Sequence, residues 1–318
     1  LIADLGAYNA GGTANIYWQG KDASGAAVSA VGVNSSYANI ASFATNATTK
    51  ILTIEGFIIA VGPRDVATLQ FSSIENLSLS ASTAVNGSDL ILAIGAGNYD
   101  GKGGNDAIYA DLSTSTSDIN FVGGSVTNST AEGSTFSNFE RLLLQTGSGN
   151  DSIDSTAVAM DDYLALGAGN DTVKSGGGND YVDGGEGNDT IDVGTGSDTV
   201  NAGAGIDTIK VIADGNDSVD GGLGDDRLTV DASAYAYSST YNGALFGRIF
   251  WAGMDAQGAS VATVDVNSTF AAIQTYVQTA VINQLIMFSD NAITTNYSPK
   301  ATLTFTNIEN LDITGSAV

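Results

Sequence analysis

Residues 166–229 read LGAGNDTVK SGGGNDYVD GGEGNDTID VGTGSDTVN AGAGIDTIK VIADGNDSVD GGLGDDRLT. Each row carries a glycine-rich turn, an aspartate, and an apolar residue two places later. The aspartates fall at Asp171, Asp180, Asp189, Asp198 and Asp207, nine apart, and then at Asp217 and Asp226 after a one-residue insertion. Their apolar partners are Val173, Val182, Ile191, Val200, Ile209, Val219 and Leu228. A fixed short period of this kind overrides helix-or-strand readings based on local propensity. A flexible Gly/Asp linker would not hold an apolar residue at constant phase.

The rows resemble the Gly-Gly-x-Gly-x-Asp-x-apolar-x nonapeptide of the repeats-in-toxin (RTX) family, which implies a parallel β-roll that binds calcium. The residues are physically suited to it. The hexapeptide must turn sharply and aim backbone carbonyls at one point, a conformation glycine adopts at least cost, and the last three residues form a short strand with its apolar side chain inward. Two nonapeptides make one coil of 18 residues, so turns two rows apart stack at about strand spacing, ~4.8 Å. Two bare carboxylates at that separation repel by roughly 3 kcal/mol at an effective dielectric of 20. A calcium ion between them reverses the sign, with carbonyls completing its six to eight oxygen positions.

On this reading Asp171 shares ions with Asp189, Asp180 with Asp198, Asp189 with Asp207, Asp198 with Asp217, and Asp207 with Asp226. The expected metal-site residues are Asp106, Asp151, Gly169, Asp171, Gly178, Asp180, Gly185, Gly187, Asp189, Gly196, Asp198, Gly205, Asp207, Asp217, Gly222, Gly224 and Asp226. Asp151 comes from the upstream row TGSGNDSID and Asp106 from an isolated row, GKGGNDAIY. Asp162 lies nine residues before Asp171 in a turn without glycine, where a filled and an empty site both remain open. Same-edge pairs from Asp151 onward allow at most seven ions.

A longer repeat surrounds the roll. Residues 16–40 align without gaps to 249–273, with 14 of 25 positions identical and Trp18 matched to Trp251. The match continues from TLQFSSIENLSL (68–79) to TLTFTNIENLDI (302–313), and FSNFERLLL (136–144) belongs to a third, shortened copy. The expected domains are a Trp-containing solenoid module at 1–109, a short module with the calcium roll at 110–229 (roll proper 146–229), and a second Trp-containing module at 230–318. In the inserts, Asn34-Ser35 and Asn267-Ser268 are expected to cap short helices. Tyr37, Ile40 and Phe43 would face inward in the first, and Phe270, Ile273, Val277, Val281 and Ile286 in the second. Glu75, Glu140 and Glu309 recur in the F-x-x-[IF]-E-[NR]-L segment and are read as caps on backbone donors, since positions repeated in every solenoid unit generally serve stacking. Trp18 and Trp251 are read as packing the inserts, with sugar stacking as the alternative. Asp22, Asp255 and Asp65 are read as loop positions rather than metal ligands. The predicted fold is all-β, a parallel β-roll or β-solenoid with Gly-Asp calcium turns and lateral inserts containing a short helix.

Composition bounds the function. The 318 residues carry 35 acids against 10 bases, a net charge of −25, so nucleic acid and anionic lipid are excluded as partners. With 43% hydrophobic residues the chain can bury a core rather than stay disordered. No Cys and no His are present, which removes disulfides, thiol chemistry, the Ser-His-Asp triad and nitrogen ligands, and leaves oxygen donors suited to Ca²⁺. No apolar run reaches the roughly 18 residues needed to span a bilayer. The chain is therefore expected not to be an enzyme.

The resemblance implies export by a type I system and folding outside the cell, where calcium is plentiful and binding drives folding. The expected role is a structural or adhesive module of a surface layer, filament or large adhesin, because the sequence begins and ends inside a repeated module, as in a tandem array. Its expected partners are copies of itself or further tandem modules, with cell-surface polysaccharide as an alternative ligand. The competing roles are the folding appendage of a secreted hydrolase and a glycan-binding module.

Overall fold

The computed structural model describes residues 2–4, 14–58, 62–72, 78–80, 88–124, 129–233, 240–241, 244–245, 247–264, 272, 275–276, 280–289 and 301–314. The chain divides into two units, Leu1–Ala165 and Leu166–Val318.

In the second unit the nonapeptides coil as their period requires. Thr172–Lys174, Thr190–Asp192, Thr208–Ile212 and Arg227–Asp231 pair in parallel along one face, and Tyr181–Glu186, Thr199–Ala204 and Asn216–Asp220 along the other. The register advances by 18 residues per coil, Thr172 opposing Thr190 and Tyr181 opposing Thr199, and by 19 across the ten-residue row, where Thr199 opposes Ser218 and Thr208 opposes Arg227. Between the faces lie Val173, Val182, Ile191, Val200, Ile209, Val219 and Leu228, all buried as their phase predicts.

The turns explain the glycines. The second and fourth residues of the regular turns have positive φ: 98° and 127° at Gly185 and Gly187, 91° and 154° at Gly222 and Gly224. Gly169, Gly178, Gly196 and Gly205 hold the fourth position with φ of 134°, 128°, 136° and 148°. A second constraint acts at Gly205, where an added Cβ would overlap the carbonyl of Gly187 on the preceding coil. Conformation and stacking therefore both demand glycine. The ten-residue row is absorbed by a side chain. Gly178, Gly187 and Gly205 donate their N–H to the carbonyls of Thr195, Ala204 and Leu223 on the next coil, while Gly196 donates to Asp214 Oδ1 instead (3.0 Å).

The first unit has the same plan with coils of unequal length, from 17 residues between Leu90 and Ala107 to 76 between Ile2 and Ser78. Leu90–Leu92, Ala107–Asp111, Arg141–Gln145 and Tyr163–Ala165 stack in parallel. On the other face Ile2–Asp4, Ser78–Ser80, Asn98–Asp100 and Ser134–Ser137 stack in parallel. There Ser129–Ala131 joins Ser134–Ser137 and Asn120–Val122 through antiparallel pairs, and Asn120–Val122 runs parallel to Ser152–Asp154.

The long repeat is a structural duplication. Ala14–Lys21 pairs antiparallel with Ala27–Val31 and Thr49–Ile58, and Gly247–Met254 does the same with Ser260–Val264 and Ile282–Ser289. The registers coincide. Trp18 opposes Val31 and Leu52, and Trp251 opposes Val264 and Leu285, with a bulge after each tryptophan. Gly62–Ser72 completes the first sheet against Thr49–Ile58. Ala301–Thr306 pairs with Ile282–Ser289 in the second and also runs parallel to Asn216–Asp220, joining that insert to the roll.

Two expectations about helices need correction. The first helix, Tyr37–Asn46, is capped by Ser36, whose hydroxyl accepts from the Asn39 N–H; Ser35 Oγ instead accepts from Gly32 N–H (3.0 Å), closing the preceding turn. Ile40 and Phe43 are buried, as their spacing predicts. In the second insert Ala272, Thr275 and Tyr276 are helical, but Ile286 lies in the strand Ile282–Ser289. An apolar residue in a strand can mimic helical spacing over one step. The Asn267-Ser268 cap, Phe270, Ile273 and Val277 fall outside the described residues, and Val281 is exposed.

Gly205→Ala should destabilise the second unit by about 3 kcal/mol or more, since it combines a glycine-only backbone conformation with a steric overlap. Gly103→Ala, at a position with open space around it, should stay within about 0.5 kcal/mol of wild type. Denaturant titration in millimolar calcium measures both.

Candidate metal centre

The aspartates form two ladders along the edges of the roll in the second unit. On one edge Asp171 N–H donates to Asp189 Oδ1 (2.8 Å), Asp189 to Asp207 (2.8 Å) and Asp207 to Asp226 (2.8 Å). On the other, Asp180 donates to Asp198 (2.9 Å) and Asp198 to Asp217 (3.0 Å). These are the five pairs that the 18-residue coil brings together. All seven side chains are at most 3% exposed. One carboxylate oxygen caps the amide a coil earlier, and for Asp189, Asp198, Asp207, Asp217 and Asp226 the other, Oδ2, is buried and makes no hydrogen bond. A buried carboxylate oxygen left so is costly unless a cation or a proton meets it.

The local surroundings favour a cation. A Cβ built on Gly184, the first residue of its turn, would meet Asp189 Oδ2 at 2.5 Å and the carbonyl oxygen of Ala202 on the next coil. The space beside this glycine is therefore flanked by a carboxylate oxygen and a carbonyl oxygen, the hard donors Ca²⁺ takes. Among the described residues no group of three or more His, Cys, Asp or Glu side chains gathers as a metal site. The Ala202 carbonyl beside Asp189 Oδ2 puts a backbone oxygen next to the carboxylate, which gives a physical reason for the glycine-rich turn.

Electrostatics agree. Burial, opposed in part by the backbone hydrogen bond and reinforced by neighbouring carboxylates, pushes Asp198 to about 7 and Asp207 to about 6. Asp217 rises to about 7 through burial, with the Asp214 charge adding to it. Asp189 and Asp226 are raised for the same first reason. Without a cation, Asp198 and Asp217 are partly protonated near neutrality.

In the first unit Asp106 is fully buried, its Oδ1 accepting from Asp89 N–H (2.9 Å) and its Oδ2 without a hydrogen bond; burial and then the Asp89 charge push it to about 9. Asp151 Oδ1 accepts from Ile119 N–H (2.8 Å) and Asp162 Oδ1 from Leu142 N–H (2.7 Å). Sequence reading missed Asp89, and it read Glu140 and Glu309 as caps on backbone donors, which the structure bears out. Asp89 is buried and accepts from Ile16 N–H (2.6 Å); its row, NGSDLIL, keeps the aspartate and the apolar residue two places on, a signal that was available. Glu140 and Glu309 take the aspartate's place at the end of a ladder: Glu140 Oε2 accepts from Asp106 N–H (2.9 Å) and Glu309 Oε2 from Asp226 N–H (2.8 Å). The residue before the aspartate also forms ladders, Asn188 N–H donating to Asn170 Oδ1 (2.7 Å) and Ile206 N–H to Asn188 Oδ1 (2.7 Å), which accounts for the recurring Asn-Asp pair.

Asp22, Asp255, Trp18 and Trp251 serve the fold. Asp22 and Asp255 close hairpins, each Oδ1 accepting two backbone N–H groups, from Ser24 and Ala26 and from Gln257 and Ala259. Trp18 is fully buried with Nε1 donating to the Leu90 carbonyl (2.8 Å), so it packs its insert onto the roll and offers no sugar platform. Trp251 sits edge-on to Tyr276 and Phe305. Glu75 falls outside the described residues, while Asp65, read as a loop position, lies in the strand Gly62–Ser72 opposite Glu55, its side chain outside the described residues.

A parallel roll whose turns present buried carboxylates and carbonyls to a cation defines a calcium-binding β-roll. Residues 156–191, 176–209 and 213–233 match the family model of the RTX calcium-binding nonapeptide repeat, so the chain carries RTX repeats, and these repeats bind calcium. Proteins with such repeats are typically secreted. No curated protein matches the sequence. Among the described residues no helix is long and apolar enough to cross a membrane.

Asp189→Ala removes a carboxylate that serves two neighbouring coils, so calorimetry should register two fewer calcium ions per chain and a loss of about 3–5 kcal/mol. Asp161→Ala, at an exposed position off the ladder, should leave the stoichiometry unchanged; equal stoichiometry for Asp189→Ala would refute the ladder assignment. The pH dependence follows from the raised carboxylates. Their folded values exceed the unfolded value of about 3.9, so the stability they allow the calcium-free roll is fully present below pH 4 and is lost as pH rises through about 6 to 7. In calcium-depleted buffer the β-sheet circular dichroism should survive heating better at pH 5 than at pH 8. Calcium affinity should instead increase as pH rises over the same interval, because protons compete for the same oxygens and leave them there.

Proposed function

We propose that this chain is a structural or adhesive module of a secreted surface protein, exported by a type I system, that folds on calcium outside the cell and assembles with copies of itself or with further modules of its kind. The observation that carries the reading is the duplicated insert. Two sheets more than two hundred residues apart keep the same pairings around Trp18 and Trp251, down to the bulge after each tryptophan. Repetition of a whole insert with its register is the mark of a chain built by stacking units.

The first insert is fixed to its roll by the stacking of Tyr37 on Tyr163 (3.6 Å between centroids) and by Arg141, whose Nη1 donates to the carbonyls of Val33 and Ser35. Such an insert suits a rigid lateral projection. Catalysis is not part of the proposal, since the buried carboxylates that stand out chemically are absorbed by the calcium ladders and the chain has no His or Cys. The full burial of Trp18 weighs against the glycan-platform alternative.

Light scattering on the chain at micromolar concentration tests the reading. Millimolar calcium should raise the apparent mass above that of a monomer, reversibly on chelation. A folded, strictly monomeric state in calcium would favour the appendage role.

A further inference from the structure

The regular calcium turn recurs every nine residues, yet at two places a buried aspartate faces a coil partner with no glycine-rich turn. Asp226 precedes Phe305-Thr306-Asn307-Ile308-Glu309, and Asp106 precedes Phe136-Ser137-Asn138-Phe139-Glu140. The two settings correspond atom by atom with the regular one. At the regular Gly184 turn, a Cβ on the glycine would meet Asp189 Oδ2 and the Ala202 carbonyl, and Asp189 N–H donates to Asp207 Oδ1 (2.8 Å). At Gly221 it would meet Asp226 Oδ2 (3.0 Å) and the Asn307 carbonyl, and Asp226 N–H donates to Glu309 Oε2 (2.8 Å). At Gly101 it would meet Asp106 Oδ2 (3.0 Å) and the Asn138 carbonyl, and Asp106 N–H donates to Glu140 Oε2 (2.9 Å).

The sequence spacing behind this correspondence differs. In the regular partner, five positions separate the carbonyl residue Ala202 from the carboxylate residue Asp207; in the other two, Asn307 and Asn138 stand only two positions before Glu309 and Glu140. Glutamate's extra methylene and a left-handed asparagine, φ 52° at Asn307 and 58° at Asn138, bring the same oxygens to the same places over a shorter path. Asparagine is among the few non-glycine residues that accept this conformation. Each is further fixed by its side chain, Asn307 Nδ2 donating to Asp220 Oδ1 (2.7 Å) and Asn138 Nδ2 to Asp100 Oδ1 (2.6 Å). The backbone carbonyl of each aspartate also receives two N–H groups from the closing segment, those of Glu309 and Asn310 and of Glu140 and Arg141.

Asp226 and Asp106 are fully buried, and the Oδ2 of each makes no hydrogen bond while lying beside that carbonyl. We infer that the segment Asn-[Ile/Phe]-Glu closes two further calcium sites outside the nonapeptide pattern. One is made by Asp226, the Asn307 carbonyl and Glu309, the other by Asp106, the Asn138 carbonyl and Glu140. The inference rests on the calcium reading of the regular turns. Glu309 and Glu140 then act as ligands, beyond capping an amide.

Glutamate-to-glutamine substitution separates the two roles, because Gln retains an oxygen that accepts the aspartate N–H but loses the charge. The full chain and its Glu309→Gln, Glu140→Gln and doubly substituted variants are titrated with calcium by calorimetry, alongside circular dichroism in calcium. Each single variant should bind one ion fewer than wild type and the double variant two fewer, with the β-sheet spectrum kept. Unchanged stoichiometry in both single variants would overturn the inference and leave the glutamates as caps. Should Glu309→Gln fail to fold, Glu140→Gln decides, since Asp106 lies in the other unit. A wild type that binds no calcium at all would instead sink the calcium reading on which the inference stands.

Discussion

Everything in the roll depends on how each buried aspartate divides its two carboxylate oxygens. Oδ1 takes the amide of the aspartate one coil earlier, which fixes the stacking of the turns. In the turns described above, Oδ2 is left inside the glycine-rich loop without a hydrogen bond. The first half of that arrangement is structural and acts with or without metal. The second half is an unmet electrostatic demand, repeated from coil to coil, that a cation satisfies. The inward apolar residues alone would make a two-faced stack of very short strands, each burying only one or two apolar side chains. With a net charge of −25, that modest core has to hold together a polyanion whose acids lie in line. Calcium is thus the counter-charge that allows such short strands to stack.

Much of this was legible in the sequence because the roll is local. Period, phase and turn chemistry all repeat within nine residues, so the coil of 18, the inward face and the five aspartate pairs could be read directly. What escaped notice lies where the period breaks. Asp89 sits in a row with one glycine, and it stands 17 rather than 18 residues from Asp106. Glu140 and Glu309 were read as caps on backbone donors, which they are, but their places at the ends of the aspartate ladders depend on pairing across 34 and 83 residues. No window along the chain contains both partners. The second insert's helix was drawn too long for a related reason. Ile286 has suitable spacing, but its strand is set by pairing with Gly247–Met254, a non-local contact.

The inserts show which features the duplication preserves. Trp18 and Trp251 keep the same cross-strand partners, and Asp22 and Asp255 the same hairpin closure. The strand that follows differs in setting. Ala301–Thr306 runs beside Asn216–Asp220 of the roll, whereas Gly62–Ser72 completes a four-stranded antiparallel sheet. Pairings internal to the insert are therefore held by its own sequence, while its junction with the roll varies with the neighbouring coil.

The closing segments explain how a roll built on an 18-residue coil accommodates inserts at all. A coil made of two nonapeptides has little slack, since its glycine turns are matched in length to those above and below and the one inserted residue is taken up only by the Asp214 side chain. An insert of arbitrary length needs a return point that recognises the previous turn without counting residues. Asn138 to Glu140 and Asn307 to Glu309 have that property, because each presents a carbonyl and a carboxylate to the preceding aspartate over three residues. The separations they bridge, 34 residues from Asp106 and 83 from Asp226, differ by more than twofold, while the hydrogen bonds made at the aspartate amide are 2.9 and 2.8 Å. The ladder is thus defined by the geometry of its turn and not by spacing along the chain, so inserts can change length without disturbing the coils that carry the metal.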